Sequence, residues 1–376
     1  MPKQIYLDNA STTRPFPSVV KTMQKSLEDN YGNPSSLHAE GEKAKELINS
    51  ARENMAKEIN ARSWEIIFTS GATESNNLAI KGLAKANPTK KKIIISSIEH
   101  DSNHEPCLAL QNEGYEIVQI PTDSEGIIDL DKLESEVDNK TLLVSIIHAN
   151  NEFGTLQDLE AIGKVCLSKK VPFHTDATQS FAKISLDVKK SNISMLSASA
   201  HKIHGPKGVG LFYISEKIKI KPIIQGGGQE RGIRSGTENS YAIEGFSKTL
   251  DEIKKIDKLK IKNLRNELIK GLESLGGKLI GSRESRLYNN ASVLFKGMDG
   301  DSLVLNLSER NIMCSTGSAC HSNKNSKSEN RVLKSLGLSN KESDEVVRFS
   351  LSHCTTLSEI KETINQVKKV LSIQKN

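Results

Sequence analysis

The sequence lacks long hydrophobic runs and paired cysteines. No apolar stretch approaches the ~18–20 residues that a membrane-spanning helix needs. Residues 1–7 contain a lysine but no apolar core segment, so no signal peptide is expected. The five cysteines are odd in number and none forms a CxxC pair, which argues against a disulfide framework and indicates a reducing compartment. We therefore expect a cytoplasmic protein without membrane association.

Three kinds of binding motif are also missing. The glycine-rich residues 226–231 do not match GxxxxGK[ST], so a nucleoside triphosphate site is not expected. No two histidines have the spacing of a metal site, and no permanent metal is predicted. The net charge of +6 comes from scattered lysines, as at residues 90–92, a pattern typical of solvated faces. A direct nucleic-acid partner is therefore not expected.

What the sequence does contain is a regular alternation of short apolar runs and amphipathic helical stretches. Near-continuous apolarity is typical of strands that are covered on both faces. The pattern predicts an α/β fold with a mainly parallel sheet. The six clearest runs are residues 65–69, 92–96, 142–147, 171–174, 195–198 and 209–213.

The character of the chain changes near residue 251. A lysine-rich helix is predicted over residues 251–275, and shorter strands and a final helix follow it. Thr356 and Glu359 have the spacing of a capping box at the start of that last helix. We predict a large domain over residues 16–255 and a smaller α+β domain formed by residues 1–15 and 256–376.

Three polar segments at the ends of predicted elements carry the chemistry. Residues 69–75 (Thr-Ser-Gly-Ala-Thr-Glu-Ser) open a helix, Asp176 ends a strand, and Lys202 closes another. Taken singly, each has an ordinary explanation as a helix cap, a capping carboxylate or a solvated lysine. Together they form the set that a pyridoxal phosphate enzyme needs: an amine for the Schiff base, a carboxylate for the pyridine nitrogen, and hydroxyls with a helix start for the phosphate.

Other candidates leave two interpretations open. His100 follows a strand, where it can stack on a flat heterocycle or simply bond the backbone. Residues 226–237 form either a second phosphate contact or a flexible connection. Arg348 alternates with apolar neighbours in a predicted strand, where an inward guanidinium needs a carboxylate; a structural ion pair is the ordinary explanation.

One cysteine stands apart from the others. Cys320 lies directly before residues 321–330, which contain no apolar residue and are predicted to form a mobile loop. A thiol that is exposed and close to cations is where a reactive thiolate is expected. Cys314 is expected to be buried and is given no role. The remaining three are predicted to be core residues: Cys107, Cys166 and Cys354.

These motifs together resemble the cysteine desulfurases of the nitrogen-fixation and iron–sulfur-cluster sulfur-donor type, within the class-V aminotransferase family. The resemblance covers nearly the whole chain. In chain order, the matching segments are residues 6–13, 31–36, 70–76, 150–152, 176–179, 199–202, 234–237, 315–320 and 348–351. The resemblance implies the aspartate-aminotransferase type of fold (fold type I), a homodimer, and pyridoxal 5′-phosphate as the cofactor.

The resemblance also implies roles for individual residues. The expected catalytic residues are Lys202, which carries the cofactor, His100, which stacks on its ring, and the nucleophile Cys320. The expected cofactor-binding residues are Ala72, Thr73, His100, Asn151, Asp176, Gln179, Ser199, Ala200, His201, Lys202 and, from the other subunit, Thr237. The expected substrate-binding residues are Asn33, Asn151 and Arg348.

The implied activity is that of a sulfurtransferase. L-cysteine would yield L-alanine, and its sulfur would stay on Cys320 as a persulfide before passing to an acceptor such as an iron–sulfur scaffold protein. Cys320 is also a candidate transient iron–sulfur ligand. The alternatives are a selenocysteine lyase, another enzyme of the same family, or a catalytically inert binding subunit of a sulfur-assembly system.

Overall fold

The computed structural model describes residues 4–316 and 330–373. Its strands, in chain order, are β1 Ile5–Tyr6, β2 Ile66–Thr69, β3 Lys92–Ser96, β4 Glu116–Ile120, β5 Thr141–Ser145, β6 Phe173–Asp176, β7 Met195–Ser199, β8 Gly210–Ile214, β9 Lys278–Leu279, β10 Asn290–Leu294, β11 Ile312–Met313, β12 Ser315–Thr316 and β13 Val346–Ser350. Its α-helices are α1 Pro17–Asp29, α2 Ala39–Glu58, α3 Ala72–Asn77, α4 Leu83–Ala86, α5 Asp101–Gln111, α6 Leu130–Glu136, α7 Leu159–Ser168, α8 Ser240–Ile253, α9 Lys258–Ser274, α10 Gly300–Glu309, α11 Arg331–Lys334, α12 Asn340–Asp344 and α13 Leu357–Ile373.

A seven-stranded sheet organises the larger part of the molecule. Its strand order is β2-β8-β7-β6-β5-β3-β4. The pairs from β7 to β4 are parallel, whereas β8 runs antiparallel to both of its neighbours. The predicted α/β fold with a mainly parallel sheet is therefore confirmed. The edge strand β4 was missed because it is only partly buried and carries no continuous apolar run.

Both faces of this sheet are covered. On β2, Ile66 and Phe68 belong to a buried cluster with residues of α2, α7 and α8, whereas Ile67 belongs to a cluster on the other face. The strand β3 shows the same division, since Ile94 points to the first cluster and Ile93 to the second. Burial on both faces explains why these strands are continuously apolar in the sequence.

The carboxyl-terminal part builds a second, smaller sheet. Its four strands have the order β12-β13-β10-β9 and are antiparallel. The buried cluster beneath it contains residues of α9, α10 and α13, together with Ile5 and Leu7 from the start of the chain. The first strand pairs with β11, so the amino-terminal segment packs with this part of the molecule. A domain boundary at residues 255 and 256 remains a prediction.

The predicted single helix over residues 251–275 is wrong. The structure has two helices there, because α8 ends at Ile253 and α9 begins at Lys258. Asp257 causes the new start, since its side chain accepts a hydrogen bond from the amide of Lys260 and so caps α9. The capping box before α13 has the predicted reciprocal bonds between Thr356 and Glu359.

No helix within residues 4–316 or 330–373 combines the length and the apolarity that a bilayer crossing demands. The parallel strands instead bring polar groups together. The carboxyl ends of parallel strands lie at one edge of a sheet, where α/β proteins bind ligands. At this edge lie Asp176 at the end of β6, Ser199 at the end of β7, and His100 just after β3.

Candidate active site

A cavity of about 540 Å³ opens at this edge of the large sheet. Its wall combines residues from several separate chain segments, with two from the amino-terminal segment and one from β13. The lining residues are Ala10, Ser11, Ser70, Gly71, Ala72, Thr73, Glu74, His100, Ser102, Ile147, Asn151, Asp176, Thr178, Gln179, Ser199, His201, Lys202, Lys207, Gly208 and Arg348. A cavity of this size suits a cofactor with a small substrate.

Lys202 lies in a short 3₁₀ turn directly after β7. Its Nζ atom donates to the carbonyl oxygens of Ala10 at 2.8 Å and of Ser11 at 2.7 Å. The Ala10 carbonyl also accepts a bond from Gln179 Nε2 at 2.8 Å. The lysine is thus held inside the cavity by the amino-terminal segment and is not a solvated lysine at a strand end.

Asp176 is buried and its two carboxylate oxygens have separate donors. The amide of Thr178 donates to Oδ1 at 2.9 Å, and Asn76 Nδ2 donates to Oδ2 at 2.8 Å. Asn76 also bonds Ser102 Oγ, so it links two residues of the cavity wall. Sequence reasoning gave Asn76 no role although it lies inside a quoted motif, because its contact with Asp176 spans 100 positions in the chain.

The turn before α3 forms another part of the wall. Gly71 precedes Ala72 and Thr73, and the helical run continues to Ala86. The close approach of β8 to this turn depends on Gly210, where a Cβ atom would lie only 2.6 Å from Gly71 Cα. Amides at a helix start, a hydroxyl and the nearby Lys207 are suitable groups for a phosphate.

The glycine-rich residues 226–237 contact the rest of the fold through Glu230 and Arg234. Glu230 is buried and accepts two bonds from Arg52, at 2.7 and 2.8 Å. Further along, Arg234 Nε donates to Glu74 Oε1 at 3.0 Å, which ties this segment to the start of α3. The segment is thus joined to the fold at Glu230 and Arg234, and its role as a second phosphate contact remains a prediction.

His100 caps α5 and lines the cavity at the same time. Its Nδ1 atom accepts from the amide of Ser102 at 3.1 Å and lies 2.7 Å from the Ser102 hydroxyl. Burial lowers the pKa of His100, and the charge of Lys202 acts in the same direction while that of Asp176 opposes it. The two interpretations of His100 are thus compatible, because the ring bonds the backbone and still faces the cavity.

Arg348 projects from β13 and is 3% exposed. Its Nη1 atom donates to the Asn151 carbonyl at 3.0 Å, and Nη2 donates to Asp8 Oδ1 at 2.9 Å and to Ser11 Oγ at 2.6 Å. The Nε atom is buried and has no hydrogen-bond partner among the described residues. An unpartnered buried donor on a guanidinium that lines a cavity is suited to a ligand carboxylate.

Three predicted site residues do not line this cavity. Asn33 and Thr237 are exposed, and the Asn33 side chain accepts a bond from the amide of Ser35 within its own turn. Ala200 is fully buried in the core behind the wall, where its amide donates to the Val209 carbonyl. The remaining predicted residues within the described ranges all line it.

Cys320 lies outside the described residues, as does most of the predicted loop over residues 321–330. Ser315 on β12, five residues before Cys320 in the sequence, is the register partner of Arg348 on β13. Cys314 is buried as expected, and burial raises the pKa of its thiol to about 12. Burial of Cys107 and Cys166 was also predicted correctly, but Cys354 is exposed because it lies in the turn before α13.

Two buried ionisable groups near the site were not predicted. Lys183 is 4% exposed and donates to Gln179 Oε1 at 3.4 Å; burial, with the charge of Lys202, lowers the pKa of Lys183 to about 7. Glu99 is fully buried just before His100, and burial raises its pKa to about 7. Neither residue belongs to a recognisable motif, so only the folded structure reveals them.

A buried carboxylate and a lysine at the carboxyl edge of a mainly parallel sheet, with a phosphate-compatible turn between them, define a pyridoxal phosphate enzyme of fold type I. The residues present fit that cofactor: Lys202 for its aldehyde, Asp176 for its pyridine nitrogen, and residues 71–73 with Ser199 and His201 for its phosphate.

The comparisons with known proteins agree with this class. The profile of the family "Aminotransferase class-V" matches residues 5–363. "Cysteine desulfurase IscS" of Clostridium botulinum is 40% identical over 379 residues, which is 99% of this chain and 95% of that relative. The chain therefore belongs to the class-V aminotransferase family, whose cofactor is pyridoxal 5′-phosphate, as predicted.

Solved structures are also similar. A "NIFS-LIKE PROTEIN" superposes with a TM-score of 0.92 at 36% identity, covering 99% of this chain and all of that one. "SspA in complex with cysteine" has a TM-score of 0.84 at 36% identity and covers 93% of this chain and 99% of that one. The predicted resemblance to cysteine desulfurases is confirmed by these matches.

Proposed function

We propose that this protein is a pyridoxal phosphate-dependent cysteine desulfurase that converts L-cysteine to L-alanine and retains the sulfur on Cys320 as a persulfide. The observation that carries the proposal is the cavity that joins Lys202, Asp176 and Arg348 in a chain 40% identical to a named cysteine desulfurase. A structural relative bound to cysteine supports L-cysteine as the substrate.

The substrate carboxylate would bind Arg348. Asp8, Ser11 and the Asn151 carbonyl already hold the two Nη atoms, so the guanidinium is fixed before any ligand arrives. The free Nε donor then supplies the directional bond. Fixing the carboxylate at this end of the cavity would orient the α-carbon of the substrate toward Lys202 and His100.

Asp176, Lys202 and His100 would serve the chemistry. Bound pyridoxal phosphate withdraws electrons from the substrate's α-carbon, and the Asp176 carboxylate favours the protonated ring nitrogen that this requires. Lys202 would hold the cofactor and exchange protons with the substrate. His100 remains neutral at neutral pH because burial lowers its pKa, so its ring can accept a proton.

The substrate sulfur would be transferred to Cys320. The thiolate attacks the substrate sulfur, an S–S bond forms as the C–S bond breaks, and the carbon fragment takes up a proton to become alanine. Position supports this role, because Cys320 is four residues beyond Thr316 on β12, which pairs with the strand of Arg348. Four residues reach at most about 14 Å, so Cys320 lies within that distance of the end of β12.

A homodimer would complete the site. Asn33 and Thr237 lie on the surface outside the cavity, so they can serve a site only in another copy of the chain. The segment that holds Asn33 also exposes Tyr31 by 77% and Leu37 by 96%. Large exposed apolar side chains in one short segment favour burial against a partner.

The cellular setting follows from the activity. A protein-bound persulfide needs a sulfur acceptor, and we propose an iron–sulfur scaffold or another sulfur carrier protein in the cytoplasm. A reducing compartment suits the free thiols at Cys107, Cys166 and Cys354.

Alanine release from L-cysteine by the purified protein, with pyridoxal phosphate and a thiol reductant, tests the proposal. The wild type should release alanine and Cys320→Ala should not. Alanine from both proteins would move the nucleophile elsewhere. No alanine from a wild type that binds the cofactor would overturn the proposed activity, and selenocysteine would then be the next substrate to assay.

A further inference from the structure

An arginine outside the cavity holds the backbone on which His100 is mounted. Arg331 is the first residue of α11, and its side chain crosses to the connection between β3 and α5. Its Nη1 atom donates to the Ser97 carbonyl at 2.6 Å, and its Nη2 atom donates to the Glu99 carbonyl at 2.5 Å. One guanidinium therefore bridges two carbonyl groups directly before His100.

The bridged connection lies outside the regular elements, and the Glu99 side chain anchors it by accepting bonds from Ser96, Asn103 and the Ile147 amide. Residues 97–99 lie between a strand and a helix, so side chains satisfy their carbonyl groups. Besides the two bonds from Arg331, Asn150 Nδ2 donates to the Ile98 carbonyl at 2.9 Å. The position of the His100 backbone thus depends on side chains that come from distant parts of the sequence.

Arg331 is itself well supported. Its neighbours Val332 and Leu333 are buried in one cluster with Ile98 and Ile147. Asn330 accepts a bond from the Leu333 amide and donates to the buried carboxylate of Glu152 at 2.8 Å, so the start of α11 is fixed on both sides. The guanidinium therefore has little freedom to leave the two carbonyls.

The charge of Arg331 acts on the same histidine. Asp101 Oδ1 lies 3.7 Å from Nη2, which places an ion pair at the start of the helix that His100 caps. Burial is the main reason that the pKa of His100 is lowered, and the Arg331 charge adds to that effect while Asp101 opposes it. Geometry and electrostatics thus link the same pair of residues.

We propose that Arg331 is a positioning residue for His100, which fixes the imidazole against the cofactor by bridging the carbonyls of Ser97 and Glu99. A test by activity rests on the proposed function. A test by spectroscopy requires only that the protein binds pyridoxal phosphate. A planar guanidinium donates to the two carbonyls from two separate nitrogens held in one plane; the single nitrogen of a lysine does not reproduce this fork, and a methyl group has no donor.

A double-mutant cycle with His100 tests this proposal. In the holoenzyme, Arg331→Ala should lower kcat for alanine release about 10- to 100-fold and change KM by less than about threefold, because Arg348 is untouched. In a His100→Ala background, the same substitution should lower kcat by less than about threefold. Arg62→Ala is the matched control, since Arg62 pairs with exposed Glu216 and does not line the cavity.

The outcomes separate this proposal from the proposed function. If the wild type releases no alanine, the visible absorbance and circular dichroism of bound pyridoxal phosphate decide: Arg331→Ala should shift both as His100→Ala does, and Arg62→Ala should not. Two results would overturn the positioning role. One is that Arg331→Ala lowers kcat as much in the His100→Ala background as in the wild type; the other is that Arg331→Ala leaves the spectrum of bound pyridoxal phosphate unchanged. If Arg331→Ala does not fold, Arg331→Lys replaces it in the cycle, because it keeps the charge but not the planar fork of two nitrogens.

Discussion

Asp8 and Arg348 are 340 positions apart in the sequence, yet Nη2 of the arginine lies 2.9 Å from Oδ1 of the aspartate. Ser11 Oγ completes the group, since it donates to the same Asp8 oxygen at 2.8 Å and accepts from Arg348 Nη2. The aspartate holds Nη2 in place, the Asn151 carbonyl holds Nη1, and Nε has no partner among the described residues. The ion pair thus pre-organises a carboxylate site instead of closing it.

Arg348→Lys tests this arrangement. The lysine keeps the positive charge but has no equivalent of the Nε donor. KM for L-cysteine should therefore rise at least about tenfold, which is the effect expected from the loss of one charge-assisted hydrogen bond. The absorbance of bound pyridoxal phosphate in the absence of substrate should stay unchanged. Arg62→Lys serves as the control at an exposed ion pair. An unchanged KM would mean that the substrate carboxylate binds elsewhere.

Cys314→Ala should leave alanine release within about twofold of the wild type. The thiol is buried, and the pKa of about 12 keeps it protonated at neutral pH, so it is a poor nucleophile. The substitution should instead cost about 1 kcal/mol of unfolding free energy, because it removes a packed sulfur atom from the core beneath the smaller sheet. Steady-state assays and urea denaturation measure the two effects. Loss of alanine release from a Cys314→Ala protein that still unfolds cooperatively in urea would contradict this assignment.

Glu99→Gln should change the pH dependence of stability. The pKa of Glu99 is raised from 4.5 to about 7, so the folded state holds a proton that the unfolded state releases above pH 4.5. The free energy of unfolding that the protonated Glu99 contributes is present at low pH and is lost as the pH rises to about 7. Glutamine cannot ionise, so its stability relative to the wild type should be about 1 kcal/mol greater at pH 8 than at pH 6.

Chemical denaturation at the two pH values measures this difference. Glu216→Gln is the control, since Glu216 pairs with Arg62 at the surface and its pKa is lowered, not raised. If the difference in unfolding free energy between Glu99→Gln and the wild type is the same at both pH values, Glu99 is already ionised at pH 6.

Leu37→Glu should dissociate the proposed homodimer. Leu37 is 96% exposed in the single chain, and a carboxylate there would have to lose its hydration at an apolar interface. Sedimentation should show the mass falling from two chains to one, and the affinity for pyridoxal phosphate should fall with it as Thr237 of the second copy is lost. Leu259→Glu, at another exposed leucine, should leave the mass unchanged. A monomeric wild type would refute the dimer.

The fold was predictable because local patterns determine most of it. Burial on both faces of the central strands produces continuous apolar runs, and the run over residues 92–96 coincides with β3. The break between α8 and α9 was missed because charged and apolar residues continue through it at helical spacing. The edge strand β4 was missed because one side faces solvent and weakens the pattern.

The site was predictable only where residues stand in contiguous motifs. Lys202 and Asp176 were found in this way, but the groups that hold them were not. Asn76 and Asp8 act through contacts with residues at least 100 positions away, and burial lowers the pKa of Lys183 to about 7. Such contacts leave no periodicity or spacing in a single sequence.

The contacts of Ser350 set the order in which the enzyme can be made. Its Oγ atom accepts from the amide of Ala10 at 2.8 Å, and its carbonyl accepts from Asn9 Nδ2 at 2.8 Å. Ala10 in turn provides a carbonyl for Lys202. A ribosome releases residues 1–15 long before it synthesises residue 350, so the large sheet can form during translation whereas the wall around the lysine closes only near the end of synthesis. Pyridoxal phosphate can therefore bind to a completed site only near the end of synthesis or after it.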